Sequence, residues 1–356
     1  MIDPTFWKDR SVFITGHTGF KGSWLSLWLK NLNANVTGYA LESPTNPALF
    51  EDAMVSSALQ KSIYGDIRDS ALFTNAMQDA KPEIVIHLAA QPLVRDSYTD
   101  PVRTYTTNVM GTVNLFEAIR QTPSIMAVLN ITTDKCYENR EWDWSYREVD
   151  PMGGHDPYSS SKGCAELVSS AYRRSFFQEK GVELATARAG NVIGGGDWAK
   201  DRIIPDAMRA LIDNKTLLVR NPAATRPWQH VLEPLSGYLM LCQQLIQHPD
   251  VFAESWNFGP NEEDAQPVSN LASIIVKKWG DHASWGLDKG EHPHEAHSLK
   301  LDCSKAKTQL KWQPIWKLER ALDETVQWYK AWHNKVNMHQ FSLNQIETYQ
   351  QEHLKQ

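Results

Sequence analysis

Tyr158 and Lys162 stand four residues apart in Tyr158-Ser-Ser-Ser-Lys162, so on a helix both side chains share one face. A free tyrosine titrates near ~10, and an ammonium one turn away, with a further positive charge close by, favours the phenolate. The pair then serves as a general base for a hydroxyl proton near neutral pH. Upstream, Ile131-Thr-Thr133-Asp134-Lys135 closes an apolar run, where the Thr133 hydroxyl can hold the oxygen that Tyr158 deprotonates. Oxidising an alcohol or inverting its carbon needs no more than these three residues. Asp134 and Lys135 add an acid and a base, which loss of water across two carbons requires: one takes a proton from carbon, the other protonates the departing hydroxyl. The alternative is a charged pair that merely ends a strand.

These residues need a scaffold that brings them together. Ser11–Thr15, Asn35–Tyr39, Ile84–Leu88, Met126–Thr132 and Val182–Arg188 read as buried strands. Ser23–Asn31, Asp69–Ala80, Val102–Gln121 and Tyr158–Glu179 read as the helices between them. Such alternation means βαβ units and an α/β fold with a doubly wound parallel sheet. Right-handed crossovers put every strand's C-terminal end, and the binding crevice, on one edge. Residues 1–189 form this first domain. Residues 190–356, richer in loops, with helices at Ile203–Asn214, Val268–Trp279 and Leu318–Trp332, form a smaller mixed substrate-binding lobe; segments around 228–258, Trp256–Phe258 above all, are candidates to return to the sheet. The last twenty residues, polar and Gln-rich, read as an exposed helix or a frayed tail.

The first strand runs straight into Gly16-His-Thr-Gly19-Phe-Lys-Gly22 and a helix. Gly16 permits the tight turn, Gly19 lets backbone approach a pyrophosphate, and Gly22 lets the helix pack closely, while the helix N-terminus offers N–H groups to phosphates. This is a dinucleotide-binding turn with GxxGxxG spacing. Gly16, Thr18, Gly19, Phe20 and Gly22 are its candidate cofactor contacts. His17 inside it either crowds the phosphates or faces solvent. The second strand ends Ala40-Leu-Glu42-Ser43 with no Asp at its tip for an adenosine ribose.

Composition excludes other classes. The 356 residues are 42% hydrophobic and 22% charged with a net charge of −6, which gives no basic footprint for nucleic acid or an anionic membrane. No apolar run reaches the ~18 residues of a membrane span, and the N-terminus has no apolar core of signal-peptide length. Four scattered cysteines read as reduced thiols of a cytoplasmic protein. The fourteen tryptophans read mostly as packing residues. His292, His294 and His297 invite a metal reading, but the chemistry above needs no metal and none is expected.

The glycine turn and the Thr133, Tyr158 and Lys162 constellation resemble the extended short-chain dehydrogenase/reductase family over nearly the whole chain. Within it Gly16–Trp24, Thr133–Asn139, Gly153–Glu166 and Glu295–Asp302 resemble the nucleotide-sugar 4,6-dehydratases. Where the dTDP-glucose dehydratases carry a glutamate as the C5 base, Lys135 stands here, as in the CDP-specific members. The resemblance implies a Rossmann-type sheet, NAD as cofactor, a nucleotide-sugar substrate, and a cytoplasmic homo-oligomer, dimer or tetramer, joined through two long helices. It also implies a place in deoxysugar synthesis for surface polysaccharide. Tyr158 would deprotonate the sugar 4-hydroxyl as hydride leaves C4, Lys135 would take the C5 proton, Asp134 would protonate the C6 hydroxyl, and hydride would return to C6. Lys135 must then be neutral, its pKa brought down from ~10.4, with Lys162 and NAD⁺ pushing that way and Asp134 opposing.

The same resemblance assigns Asp66 and Ile67 to adenine, Leu88, Ala89 and Ala90 to the cofactor ribose, and Gln91 to the sugar. Thr107 and Asn108 fall on the nicotinamide side, with helix packing the alternative for Asn108. Asn191 and Arg226 are expected to hold the diphosphate, and Arg202 and Asn257 are further substrate candidates. The family's acid-Asp pair after that arginine is Leu232-Glu-Pro234 here. The connection from Glu138 to Asp156, with Trp142 and Trp144, is either a lid over the hexose or a surface loop. The rivals are a dehydratase or 4-epimerase for another nucleotide-hexose and, from a different class, a non-catalytic nucleotide-binding protein on the same fold.

Overall fold

The computed structural model describes residues 1–280, 282–290 and 299–355. Its strands are β1 (Ser11–Thr15), β2 (Asn35–Ala40), β3 (Lys61–Tyr64), β4 (Ile84–His87), β5 (Ala127–Ile131), β6 (Glu183–Ala189), β7 (Asn191–Ile193), β8 (Leu217–Val219), β9 (Thr225–His230), β10 (Ser255–Phe258), β11 (Ala265–Pro267) and β12 (Trp285–Leu287). The helices of the first half are α1 (Pro4–Trp7), α2 (Phe20–Asn31), α3 (Leu49–Asp52), α4 (Ser70–Ala80), α5 (Val94–Thr99), α6 (Pro101–Tyr105), α7 (Gly111–Arg120) and α8 (Pro157–Tyr172). Those of the second are α9 (Ile203–Ile212), α10 (Leu232–Gln247), α11 (Val268–Trp279), α12 (Leu318–His333) and α13 (Met338–His353).

Seven strands form one sheet in the order β10-β6-β5-β4-β1-β2-β3, every pairing parallel. Both faces are covered, and alternate residues go to different cores. Val12 and Ile14 of β1 join one cluster, while Phe13 joins another with Tyr39, Val85, Val128 and Leu184. This two-sided burial is why the strands read as unbroken apolar runs. β10 returns from the second half of the chain to pair with β6. β7, β9 and β11 form a small second sheet, and β8 pairs with β12. β3 is too short and polar to read as a buried strand; pairing with β2 makes it one.

The long helix read at Val102–Gln121 begins at Pro101, where Asp100 caps Arg103 N, and passes through a π turn at Thr106–Met110 before α7. Asp156 caps α8 by accepting from Ser159 N at 3.0 Å, with Pro157 in its first turn. The helix therefore starts one residue before Tyr158.

The C-terminal segment is neither frayed nor fully exposed. α13 buries Met338, Ser342, Gln345, Ile346 and Tyr349, and Tyr349 packs edge-on against Trp28 and Trp316. Its polar anchor is Glu233, fully buried in the first turn of α10. That carboxyl accepts from Tyr349 Oη at 2.7 Å, Ile315 N at 3.1 Å and Trp316 N at 2.6 Å. Burial pushes Glu233 up to about 7, against the pull of these donors. Glu233→Ala strands three donors, those of Tyr349 and Trp316 buried, and should cost about 3 kcal/mol or more, lowering Tm by several degrees in calorimetry; an unchanged Tm contradicts this anchoring.

Candidate active site

The register of the sheet aligns its C-terminal ends. Thr15 lies opposite Tyr39 and His87, His87 opposite Asn130, and Ile131 opposite Ala187. The glycine turn, Leu88–Gln91, the Thr133 turn and Gly190 therefore meet at one edge. Thr15 Oγ1 accepts from Leu88 N at 3.2 Å and Ala89 N at 3.1 Å, which leaves its proton for His87 Nδ1 at 2.7 Å. This clamp holds the half-buried Leu88, Ala89 and Ala90 against the glycine turn.

Gly16 has φ +78° and a Cβ there would stand 2.8 Å from Ala89 N, while one at Gly22 would collide with the Gly16 carbonyl. Both glycines are thus required, Gly22 so that α2 can approach the turn. The first turn of α2 has no acidic residue and its N-cap Gly19 makes no side-chain cap, so the helix end keeps its positive character for an anion. Thr18 is buried, its Oγ1 donating to Leu41 O at 2.9 Å, and Phe20 packs towards Gly194. This cradle fits a dinucleotide pyrophosphate. His17 takes neither expected place. It is fully buried, edge-on to Phe50 and 2.8 Å from Ser62 Oγ through Nε2, and burial brings it down to about 4. It is a neutral core histidine.

A groove lined by Asp66, Arg68, Asp69, Thr106, Met110 and Asn114 opens on the same side. Asp66 there is engaged by Arg68 Nε at 2.9 Å. Ile67 is buried against Gly111, with its carbonyl on Asn114 Nδ2. Thr107 is half-buried in the π turn. Asn108 is buried and spent on structure: it accepts from Gln91 N at 2.8 Å and donates to Gln91 O and Ser161 Oγ, tying the Leu88–Gln91 loop to α8. The Gln91 side chain is also engaged locally, with Thr104 Oγ1, Leu93 O and Leu93 N, rather than extended towards a sugar.

Tyr158 and Lys162 are both buried on α8. Lys162 Nζ donates to Ile131 O at 3.1 Å; burial lowers its pKa to about 8, with Glu166 and Cys136 opposing. Burial raises Tyr158 to about 12, Thr133 and Arg202 pulling it down and Asp134 pushing it up. The lowering expected from the Lys162 spacing is therefore outweighed by desolvation in the protein alone, and a phenolate here needs a further cation. Thr133 Oγ1 donates to Asp134 Oδ1 at 2.9 Å. Asp134 is 3% exposed, its Oδ2 has no hydrogen-bond partner, and that oxygen faces Gly190 at 3.2 Å from where a Cβ would be. Burial raises its pKa against Lys135, Thr133, Arg226 and Lys21. Lys135 is exposed at the next position of the turn, its N–H on Thr133 Oγ1 at 3.3 Å.

Arg202 pairs with Asp197 at 2.9 Å, and its charge reaches Tyr158. Arg226, half-buried on β9, donates to Thr225 O at 2.9 Å, and its charge reaches Asp134. Asn191 is half-buried at the start of β7 beside Trp228. These three converge on the crevice. Asn257 does not, and its substrate role is withdrawn: it is fully buried, accepting from Tyr137 Oη at 2.8 Å and donating to Tyr146 O at 3.0 Å and Asp302 O at 3.2 Å. The Glu138–Asp156 connection is pinned through Tyr137 to Met152 and through Tyr146 to Leu301, with Tyr137, Tyr146, Trp142 and Trp144 forming a continuous aromatic stack. His292, His294, His297 and the first half of the Glu295–Asp302 motif lie outside the described residues. One site residue went unread: Lys21, which burial and Arg202 bring down to about 8 while Asp134 and Asp197 oppose. Its place between Gly19 and Gly22, on a helix end facing the crevice, was the available signal.

Similarity to known proteins agrees with this geometry. The chain is 57% identical to a CDP-glucose 4,6-dehydratase of Salmonella typhimurium, over 98% of each sequence. A dTDP-glucose 4,6-dehydratase of Bacillus anthracis, solved in complex with NAD, superposes with TM-score 0.75 at 21% identity, over 92% of this chain and 98% of that one. A UDP-glucose 4-epimerase of Thermotoga maritima superposes equally well, TM-score 0.75 at 20% identity over 90% and 98%, so the fold by itself does not separate dehydration from epimerisation. Residues 13–325 match the model of the family described as GDP-mannose 4,6 dehydratase, and with most of its length so matched the chain belongs to that family.

Proposed function

We propose that this protein is a CDP-glucose 4,6-dehydratase, an NAD-dependent hydro-lyase that forms the 4-keto-6-deoxy sugar from the nucleotide-bound hexose. The observation that carries this reading is Asp134, a buried carboxyl with a raised pKa and one oxygen without a partner, beside Tyr158 and Lys162. An epimerase needs no acid there; a dehydratase must protonate a hydroxyl as it leaves. The extent of identity to the Salmonella enzyme supports the cytidine nucleotide.

When bound, NAD⁺ supplies the hydride acceptor for C4, the donor for C6 and a positive charge beside Tyr158. Tyr158 takes the 4-hydroxyl proton while the Thr133 hydroxyl holds the same oxygen, and Lys162 keeps positive charge nearby. The resulting ketone acidifies C5, Lys135 removes that proton, and Asp134 gives its own to the C6 hydroxyl, which departs as water. Arg202, Arg226 and Asn191 face the diphosphate, where guanidinium forks match phosphate oxygens.

No described helix is long and apolar enough to cross a membrane, and the four cysteines are free thiols, which suits a reducing cytoplasm. The protein acts as a homodimer or a tetramer, joined through the α6–α7 and α8 helices. Val102 is 71% and Leu167 61% exposed there, with Tyr105, Met110 and Phe176 also uncovered, an apolar surface that association would bury.

Assayed with CDP-glucose against dTDP-, UDP- and GDP-hexoses, with and without added NAD⁺, the protein should prefer CDP-glucose and yield the alkali-induced ultraviolet chromophore of a 4-keto product. Release of a C4-inverted sugar with its 6-hydroxyl intact would make it an epimerase. Asp134→Asn should cut dehydration by roughly 10²- to 10⁴-fold while reduced nicotinamide still forms, and a Lys135→Ala variant with full turnover would remove the base assignment. Light scattering should give at least twice the chain mass of 40.5 kDa, and Val102→Asp with Leu167→Asp should yield monomer; a monomeric wild type contradicts the assembly.

A further inference from the structure

A buried ion pair lies behind the catalytic turn. Glu166 and Arg188 are each 3% exposed and meet through two contacts, Nε to Oε1 at 3.0 Å and Nη2 to Oε2 at 2.8 Å. Each partner also reaches one end of the turn. Glu166 accepts from Thr132 Oγ1, immediately before Thr133, and from Thr186 Oγ1 at 2.7 Å. Arg188 Nη1 donates to Tyr137 Oη at 2.7 Å, immediately after Cys136, and to Glu148 O at 3.1 Å. Tyr137 Oη donates in turn to Asn257 Oδ1 at 2.8 Å, while the Glu148 carboxylate accepts from Asn257 N at 2.9 Å.

The topology gives this pair its significance. Glu166 sits on α8 one turn beyond Lys162 and two beyond Tyr158; Arg188 sits on β6. One carboxylate and one guanidinium therefore grip residues 132 and 137 from opposite ends of the segment that carries Thr133, Asp134 and Lys135, and fix that segment against the helix that carries Tyr158. Burying two charges is costly unless geometry and hydrogen bonding are complete. Here they are complete: burial would raise Glu166, yet Arg188 and the threonine hydroxyls outweigh it and hold the carboxyl below its ordinary range.

We propose that Glu166 and Arg188, acting through Thr132 and Tyr137, are positioning residues for the dehydration half of the reaction. Tyr158 and Lys162 keep their mutual geometry from α8 itself, so hydride removal at C4, which takes only Thr133 from the turn, falls less than elimination when the turn loosens. The elimination falls further because Asp134 and Lys135 must reach C6 and C5 of a sugar whose C4 is held at Tyr158. Misplacement of a catalytic group by about 1 Å can cost about 10²-fold.

This rests on the dehydratase reading, which wild-type turnover of CDP-glucose tests separately. With that established, Thr132→Val and Tyr137→Phe each remove one grip while leaving the ion pair in place. In single-turnover stopped flow with NAD⁺ and CDP-glucose, both should slow the formation of reduced nicotinamide only a few-fold, since Thr133 is the one group of the turn that step uses. Decay of the reduced nicotinamide, and 4-keto-6-deoxy product, should slow about 10- to 100-fold. Arg188→Lys, which keeps the charge but not the fork, should show the same accumulation; Tyr137→Trp, which restores a ring N–H donor but not the hydroxyl acceptor, should fail to rescue it. If oxidation and dehydration fall together, or neither falls in Thr132→Val and Tyr137→Phe, the pair is only structural and the proposal is overturned.

Discussion

Parallel strands ending in register dictate the rest of this structure. A parallel sheet covered on both faces leaves only its edges for chemistry, and crossovers of one hand assign the loops there. Thr15 shows how closely the edge is specified. One hydroxyl binds Leu88 N, Ala89 N and His87 Nδ1, so the end of β1 and the end of β4 are a single piece. Gly16 then has no room for a side chain and Gly22 none for a longer separation. The pyrophosphate cradle follows from that crowding as much as from glycine flexibility. Asn108 extends the same piece to α8 through Gln91 and Ser161, so cofactor loop and catalytic helix cannot move independently.

Within that frame, desolvation sets the protonation states from which the chemistry starts. Burial pushes Tyr158 and Asp134 towards their neutral acids and Lys162 and Lys21 towards neutral amines. For Asp134 this is the state a proton donor needs. For Tyr158 it is the opposite of what a base needs, so the protein holds its phenol protonated until positive charge arrives beside it. Arg202 supplies part of that charge, and Glu166 opposes the burial that lowers Lys162. A site built this way is quiet by itself and becomes basic where a cationic cofactor sits.

Much of this was legible in the chain because it depends on local spacing. The glycine turn, the four-residue step from Tyr158 to Lys162 and the strand-end position of Thr133 are each fixed by one element's geometry. What escaped depends on distant partners. Asn257 looks like a substrate contact at the end of a strand, yet Tyr137, Tyr146 and Asp302 consume its side chain. Gln91 turns back onto Leu93 and Thr104 for the same reason. His17 sits in a loop motif, but the loop lies against β2 and β3, and its imidazole fills the core there. The polar α13 hides its apolar residues at wide spacing, and only Glu233, more than a hundred residues earlier, explains why Tyr349 is buried.

Lys135 in place of a carboxylate changes the electrostatics of the turn as well as the identity of a base. A glutamate beside Asp134 would repel its ionised form and raise its pKa further; a lysine favours the carboxylate and lowers it. Asp134 must therefore draw its raised pKa from burial, and Oδ2 must stay without a partner for burial to prevail. Gly190 leaves that oxygen room, since a Cβ there would stand 3.2 Å from it, and Arg226 and Lys21 are cations whose pull it has to withstand. A diphosphate drawn to Arg226 would neutralise part of that pull. Substrate binding then pushes Asp134 in the direction its role requires, so the group that fixes the nucleotide also readies the acid for the sugar.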